Sequence, residues 1–159
     1  QEIYMDLAGP IRGYVRSRGS KDPEDLASEV FLQVARNIAK FEGDAESFRS
    51  WVFVIAHRRL IDERRAKQRR PVITDDPVDP TGGNVEEEAI DQIGLNRVNE
   101  AMSHLTDDQR EVLALRVIAD LSLAETAKVL DKEIGAVKAL QRRAVFALRR
   151  LVDEGRVSL

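Results

Sequence analysis

The sequence predicts an all-α protein, organised as two small helical domains joined by an extended acidic linker. Three observations lead there. Apolar residues recur at spacings of three and four, as along Leu26, Val30 and Val34, and never settle into the alternation of a strand. Helix-start signals of the capping-box type stand before successive apolar stretches. Finally, the stretch from Pro71 to Gly94 gathers three prolines, several glycines and seven acids with no Lys or Arg. Such a segment buries little and reads as a linker. It divides the chain into residues 1–70, a linker at 71–94, and residues 95–159.

Three helices are expected before the linker. The first runs from about Ile3 to Arg18 and ends at the Arg18-Gly19-Ser20 break. The second opens with Asp22 as cap, Pro23 in the first turn, and Glu24 and Asp25 at the positive end of the helix dipole. Its seam of Leu26, Val30 and Val34 is flanked by Ala27, Phe31, Ala35 and Ile38, so apolar contacts are expected on more than one side. The third begins after Ser47, passes through Trp51, Val52 and Ile55 into the basic run 58–70, and is closed by Pro71.

Past the linker a helix containing Leu95, Val98 and Met102 ends near His104, with helix resuming as early as Val85 to Glu88. Thr106 with Gln109 then makes a capping box for a helix running to Val117. Ser122 with Glu125 makes a second, opening a short helix to Leu130. A turn at Asp131 to Ile134 leads to a last helix from about Gly135 to Val152. Short helix, short turn and long helix form the pattern of a helix-turn-helix.

The net charge of −3 conceals an uneven distribution. Residues 1–70 carry 14 basic against 11 acidic side chains, and residues 95–159 carry 11 against ten. The linker is purely acidic. Because electrostatic attraction acts over roughly 8 to 10 Å, a basic face matters more than the total.

Two stretches supply such faces. In the last helix Val137, Leu140, Ala144, Leu148 and Leu151 form one inward stripe, while Lys138, Arg142, Arg143, Arg149 and Arg150 lie off it with no acid between 138 and 150. Lys138 and Arg142, four apart, can enter one major groove, where Arg and Lys donate to guanine. The competing reading is a solvated amphipathic helix, which the consecutive capping boxes and the unopposed charge disfavour. The second face is HRRLIDERRAKQRR at 57–70, with seven Lys and Arg against Asp62 and Glu63. Phe48 and Trp51 stand just upstream, either as core or as rings that stack on unpaired bases. The second helix, with Asp25 and Glu29 beside Leu26, Val30 and Phe31, presents a mixed acidic and apolar face suited to a protein partner or to core packing.

Composition excludes several classes. There is no cysteine, hence no disulfide, thiolate zinc site or cysteine nucleophile, which fits a cytoplasmic location. Two histidines in different halves, and Asp44, Glu46 and Asp62 outside any ligand spacing, give no metal or catalytic centre, so neither a cofactor nor enzymatic activity is expected. No apolar run reaches 18 residues, so no membrane insertion is expected. The chain opens on Gln1 rather than Met, so a native start that is either missing or processed is expected.

The order of these features resembles the extracytoplasmic-function (ECF) group of sigma-70-family factors. DPEDLASEVFLQVARNIAKF followed by SFRSWVFVIAHRRLIDERRAKQRR resembles regions 2.1 to 2.4, and LTDDQREVLALRVIADLSLAETAKVLDKEIGAVKALQRRAVFALRRL resembles region 4. The resemblance implies a promoter-recognition subunit of core RNA polymerase. Asp25, Leu26, Glu29, Val30 and Phe31 would dock on the β′ clamp helices, and region 4 on the β flap. The loop Glu42 to Phe48, with Arg49 and Trp51, would capture a base flipped from the −10 element. Arg58, Arg59, Asp62 and Arg65 would hold that region. Lys138, Ala139, Arg142 and Arg143 would read the −35 element, Ala139 standing where the family often has serine. Such factors are usually held by an anti-sigma factor. The alternative is a one-component or response-regulator transcription factor that binds DNA through the helix-turn-helix without polymerase; the N-terminal half lacks the alternating strands and helices of a receiver.

Overall fold

A computed structural model describes residues 2–69 and 85–157 of the chain. Among them every regular element is helical: α1 Glu2–Ser17, α2 Pro23–Asn37, α3 Ala45–Arg69, α4 Val85–Ser103, α5 Asp107–Leu113, α6 Leu123–Leu130 and α7 Ile134–Asp153. A 3₁₀ turn, Ile38–Lys40, follows α2, and a wide π turn, Ala114–Ile118, follows α5.

Local chemistry explains the boundaries. Asp22 accepts from the Asp25 amide and caps α2, with Pro23 at its start. Both capping boxes form, so two otherwise free amides are satisfied at the start of each helix. Helix α3 starts two residues or more before the expected point, because the Asp44 carboxylate accepts from the Ser47 amide at 2.8 Å and supplies the cap. Helix α4 begins at Val85, so the last part of the expected extended linker, 85–94, is helical. All the prolines lie upstream of it, and Glu and Ala are good helix formers. Pro71 and the rest of the acidic segment to Asn84 lie outside the described residues.

The helix expected to reach Val117 instead widens at Ala114. The Ala119 amide donates to Ala114 and the Leu121 amide to Leu115, at 3.1 and 3.0 Å, and Asp120 takes a left-handed conformation at φ 53°. The chain thereby reverses before Ser122. A second left-handed residue, Asp131, ends α6, and the Lys132 amide closes back on Ala127 at 2.9 Å.

Helices α1, α2 and α3 enclose Ile11, Tyr14, Val15, Val30, Val52 and Phe53, all fully buried. Tyr14 meets Phe53 edge-on at 5.7 Å. In the C-terminal half Val112, Ala127 and Val137 tie α5, α6 and α7 together, and Leu105, Leu113 and Ala144 make a neighbouring cluster. The expected stripe on α7 is inward: Val137, Ala144 and Leu151 are buried, with Leu140 and Leu148 partly so. On α4, Met102 packs against the Leu105 cluster while Val98 remains 50% exposed.

The halves do not stand apart. Ala114, Leu115, Ala119, Leu121 and Val129 belong to the same apolar cluster as Phe53 and Val30. Leu115 and Leu121 are fully buried there, and each such side chain contributes about 1.5 to 3 kcal/mol.

Candidate nucleic-acid interface

Helix α7 carries the larger basic surface. Its buried stripe fixes the opposite side outward, and Lys138, Arg142, Arg143 and Arg149 are exposed. Among the described residues none of these four meets an acid, whereas Arg150 pairs with Glu154 at 3.3 Å. Ala139 is half-buried. The helix is held in rotation by Arg116, which donates to Gln141 at 2.9 Å and to the Leu121 carbonyl at 2.5 Å. Four unpaired cations on one rigid helix, preceded by a capped short helix and a tight turn, can enter a major groove and neutralise phosphates.

The second basic surface is on α3, and its residues differ from one another. Arg58 and Arg65 are exposed, as are Lys67 and Arg69. Arg59 lies across α2, 3.9 Å from Glu29 and 2.9 Å from the Gln33 side-chain oxygen. Asp62 is exposed at the cleft between α3 and the start of α2, which Asp25, Leu26 and Glu29 also line. Arg49 points away from this group and donates to the Ala119 carbonyl at 2.5 Å. Lone cations with nothing opposite them suit phosphate binding; Arg59 and Arg49 already have protein partners.

Three expected contact residues prove to be core. Phe48 is 9% exposed, with its ring 5.2 Å from Phe41 and 5.7 Å from Trp51, so it supports the loop Glu42 to Phe48 from beneath. Trp51, also 5.2 Å from Phe41, is only partly buried and keeps an open edge. On α2, Leu26 and Val30 are 6% and 0% exposed, because the seam shared with Val34 faces α1 and α3. The open part of that face consists of Asp25 and Glu29, with Phe31 at its border.

A polar cluster between the halves was not anticipated. Glu111 is buried and accepts hydrogen bonds from the Tyr14 hydroxyl and from Arg18 Nε. Since a carboxylate can only accept, His57 Nδ1 donates to it as well, at 3.0 Å. Arg18 is buried too, and its other arm reaches Asp107 at 2.8 Å. Arg64 pairs with Asp107 at 3.6 Å and donates to the Arg18 carbonyl. Burial alone would raise the Glu111 pKa, but the His57 hydrogen bond, the Arg18 charge and the Tyr14 hydroxyl outweigh it and hold the carboxyl below its usual range. Burial, followed by the charge of Glu111, pushes the Tyr14 phenol well up, so it stays a donor. A faint signal existed in the sequence. Glu111 stands four residues before Leu115 on the inward phase, and Tyr14 and Arg18 are likewise four apart.

Among the described residues no group of three or more His, Cys, Asp and Glu could hold a metal, and no helix is long and apolar enough to cross a membrane. Fold and surface together define a DNA-binding helix-turn-helix protein with a second basic helix in its N-terminal half.

Comparison with known proteins sharpens that class. Residues 3–70 match the family model described as Sigma-70 region 2, and residues 101–150 match Sigma-70, region 4. The chain is 33% identical over 144 residues to the ECF RNA polymerase sigma factor BldN of Streptomyces coelicolor, covering 89% of this chain and 54% of that protein. It is 31% identical over 158 residues to the ECF RNA polymerase sigma factor SigK of Mycobacterium tuberculosis, covering 96% of this chain and 84% of that one. The chain thus spans about half the length of BldN and most of SigK. Among solved structures, the sigma factor RpoE in complex with the anti-sigma factor NepR from Bartonella quintana has the same fold. Its TM-score is 0.74 at 21% identity, over 96% of this chain and 95% of that one. The chain belongs to the ECF group of the sigma-70 family.

Proposed function

We propose that this chain is a promoter-recognition subunit that binds core RNA polymerase and directs initiation from promoters with −10 and −35 elements. The observation that carries this reading is a pair of exposed basic helical faces, Arg58 and Arg65 on α3 and Lys138, Arg142, Arg143 and Arg149 on α7, which meet no acid among the described residues and lie each inside its own matched region. Residues 1–70 form the polymerase-binding and −10 unit, 71–94 the acidic connector, and 95–159 the −35 unit. This reading places the molecule in the cytoplasm, where its polymerase and DNA partners are, and gives it no catalytic step of its own.

Within it, Lys138, Arg142 and Arg143 meet the −35 element, with Ala139 against a base edge or methyl group. Arg58 and Arg65 hold −10 phosphates, and Trp51 offers its open edge to an unpaired base. Extruding that base costs a few kcal/mol, offset by stacking and pocket contacts. Asp25, Glu29 and Phe31 meet the β′ clamp helices, the C-terminal half meets the β flap, and an anti-sigma factor covers such faces when the protein is held inactive. The alternative, a regulator binding DNA without polymerase, accounts for the C-terminal half alone.

Run-off transcription with core polymerase tests the proposal. Promoter-specific product is expected only when the chain is added. Equal product without it, or tight binding of the isolated chain to a palindromic site, would end this reading.

A further inference from the structure

We propose that Phe146, on the outer face of α7, is a further specificity residue of the −35 contact, its ring packing against the methyl group of a thymine in the major groove. The proposal rests on the sigma-factor reading above and deepens it. It adds an apolar contact to the polar ones of Lys138, Arg142 and Arg143.

The first support is exposure. Phe146 is 63% exposed, more than any other large apolar side chain of α7. A lone apolar residue in water is ordinary on a protein surface, so its position has to carry the argument.

That position is the second support. Steps of three and four residues from Ala139 pass through Arg142 and Arg143 to Phe146 and on to Arg149. They trace the ridge opposite the buried stripe of Val137, Ala144 and Leu151. Phe146 stands on that ridge one turn beyond Arg142, about 6 Å along the axis at 1.5 Å per residue. A ligand that meets Arg142 and Arg149 from outside therefore passes over the ring between them.

Charge identifies that ligand. Phe146, Val145 and Leu123 line an open groove together with Lys138, Arg142 and Arg149. No Asp or Glu occurs from 138 to 150, and these three cations meet no acid among the described residues. The occupant must surround an apolar group with closely spaced negative charge, because a purely apolar protein surface would strand the cations. Duplex DNA has this arrangement. Phosphates edge the groove at roughly one charge per 1.7 Å of helix axis, and the thymine C5-methyl is the apolar group on its floor. Arginines beside the ring hold phosphates or guanines, and the ring itself can tell thymine from cytosine, which has no methyl.

The test uses holoenzyme reconstituted from core polymerase and the full chain, on a barcoded template pool randomised across both promoter elements. Counting the transcribed barcodes gives the base preference at every position for wild type and for Phe146→Ala. The variant should lose a thymine preference at one −35 position and keep the others. Its melting temperature should not fall, since the ring is exposed and Ala favours helix. On the selected promoter, deoxyuridine in place of that thymine removes the methyl group alone. Wild type should then lose about three- to fivefold in run-off product, the effect of one buried methyl group. Phe146→Ala should be indifferent to the exchange. Unchanged base preferences in the variant, or equal sensitivity of both proteins to deoxyuridine, overturns the proposal. So does an equal loss by the variant on every sequence, which is the mark of a protein contact. If wild-type holoenzyme yields no promoter-specific product, the sigma reading itself falls and this proposal with it.

Discussion

Replacing Glu111 by Ala removes the centre of the interdomain cluster, and the cost can be worked from its surroundings. Its side chain is 7% exposed and that of Arg18 is 2% exposed. Losing one member of a buried pair typically costs about 3 to 5 kcal/mol, because the remaining charge is stranded. Arg18 keeps Asp107 at 2.8 Å, which draws the cost toward the lower end. The Tyr14 hydroxyl falls back on His57 at 3.2 Å, adding about 1 kcal/mol for the lost bond. The expected loss is therefore about 3 to 4 kcal/mol, a large part of the roughly 5 to 15 kcal/mol of a typical domain. The double variant Arg18→Met/Glu111→Leu strands no buried charge and should cost less than Glu111→Ala alone. Urea unfolding measures all of this, and the single tryptophan, Trp51, reports through its fluorescence. A loss under 1 kcal/mol for Glu111→Ala, or additive costs across the Arg18 and Glu111 cycle, would refute the stranded-charge argument.

Three further outcomes follow from the same coordinates. Arg142→Ala should weaken use of a −35 element by about 1 to 3 kcal/mol if it reads a base, with the loss largest on the preferred sequence; an equal loss on all sequences would make it a phosphate contact. Glu111 has its pKa lowered in the folded state by His57, Arg18 and Tyr14 acting against burial, so its contribution is present above the ordinary value of about 4.3 and fades as the pH falls through the folded value. The stability gap between wild type and Glu111→Gln should thus shrink as the pH falls below about 4.3 in parallel urea titrations, and a constant gap would contradict it. Thr126 is fully buried and its Oγ1 has no hydrogen-bond partner among the described residues, so Thr126→Val should leave stability unchanged or raise it by about 1 kcal/mol in thermal melts. A marked loss would mean that the hydroxyl has a partner in solution.

Much of the architecture was legible because it depends on near neighbours in the chain. The two capping boxes, the Asp22-Pro23 start and the inward stripe of α7 rest on groups three or four residues apart, and these distances are set by the helix itself. The exposure of Lys138, Arg142 and Arg143 followed from the same periodicity. Phe48, Leu26 and Val30 were less legible. An apolar residue at a helix start or on a seam looks the same whether it meets a partner or its own core, and only packing decides. The π turn after Leu113 was also beyond a reading based on a regular helical period, whereas α4 starts at Val85, where the sequence let helix resume.

The sequence by itself determined the helices, their order, the helix-turn-helix and the placing of positive charge on two of them, since all of these arise from local periodicity and capping. Tertiary structure alone decided which cations stay free and which are taken. Arg58, Arg65 and Arg142 face outward, while Arg18, Arg49 and Arg64 find acids or carbonyls 46 to 93 residues away along the chain. No spacing rule reaches across that separation. Contacts between distant residues depend on how whole helices stack, and that is set by the shared apolar core of Phe53, Leu115 and Leu121 rather than by any segment read alone.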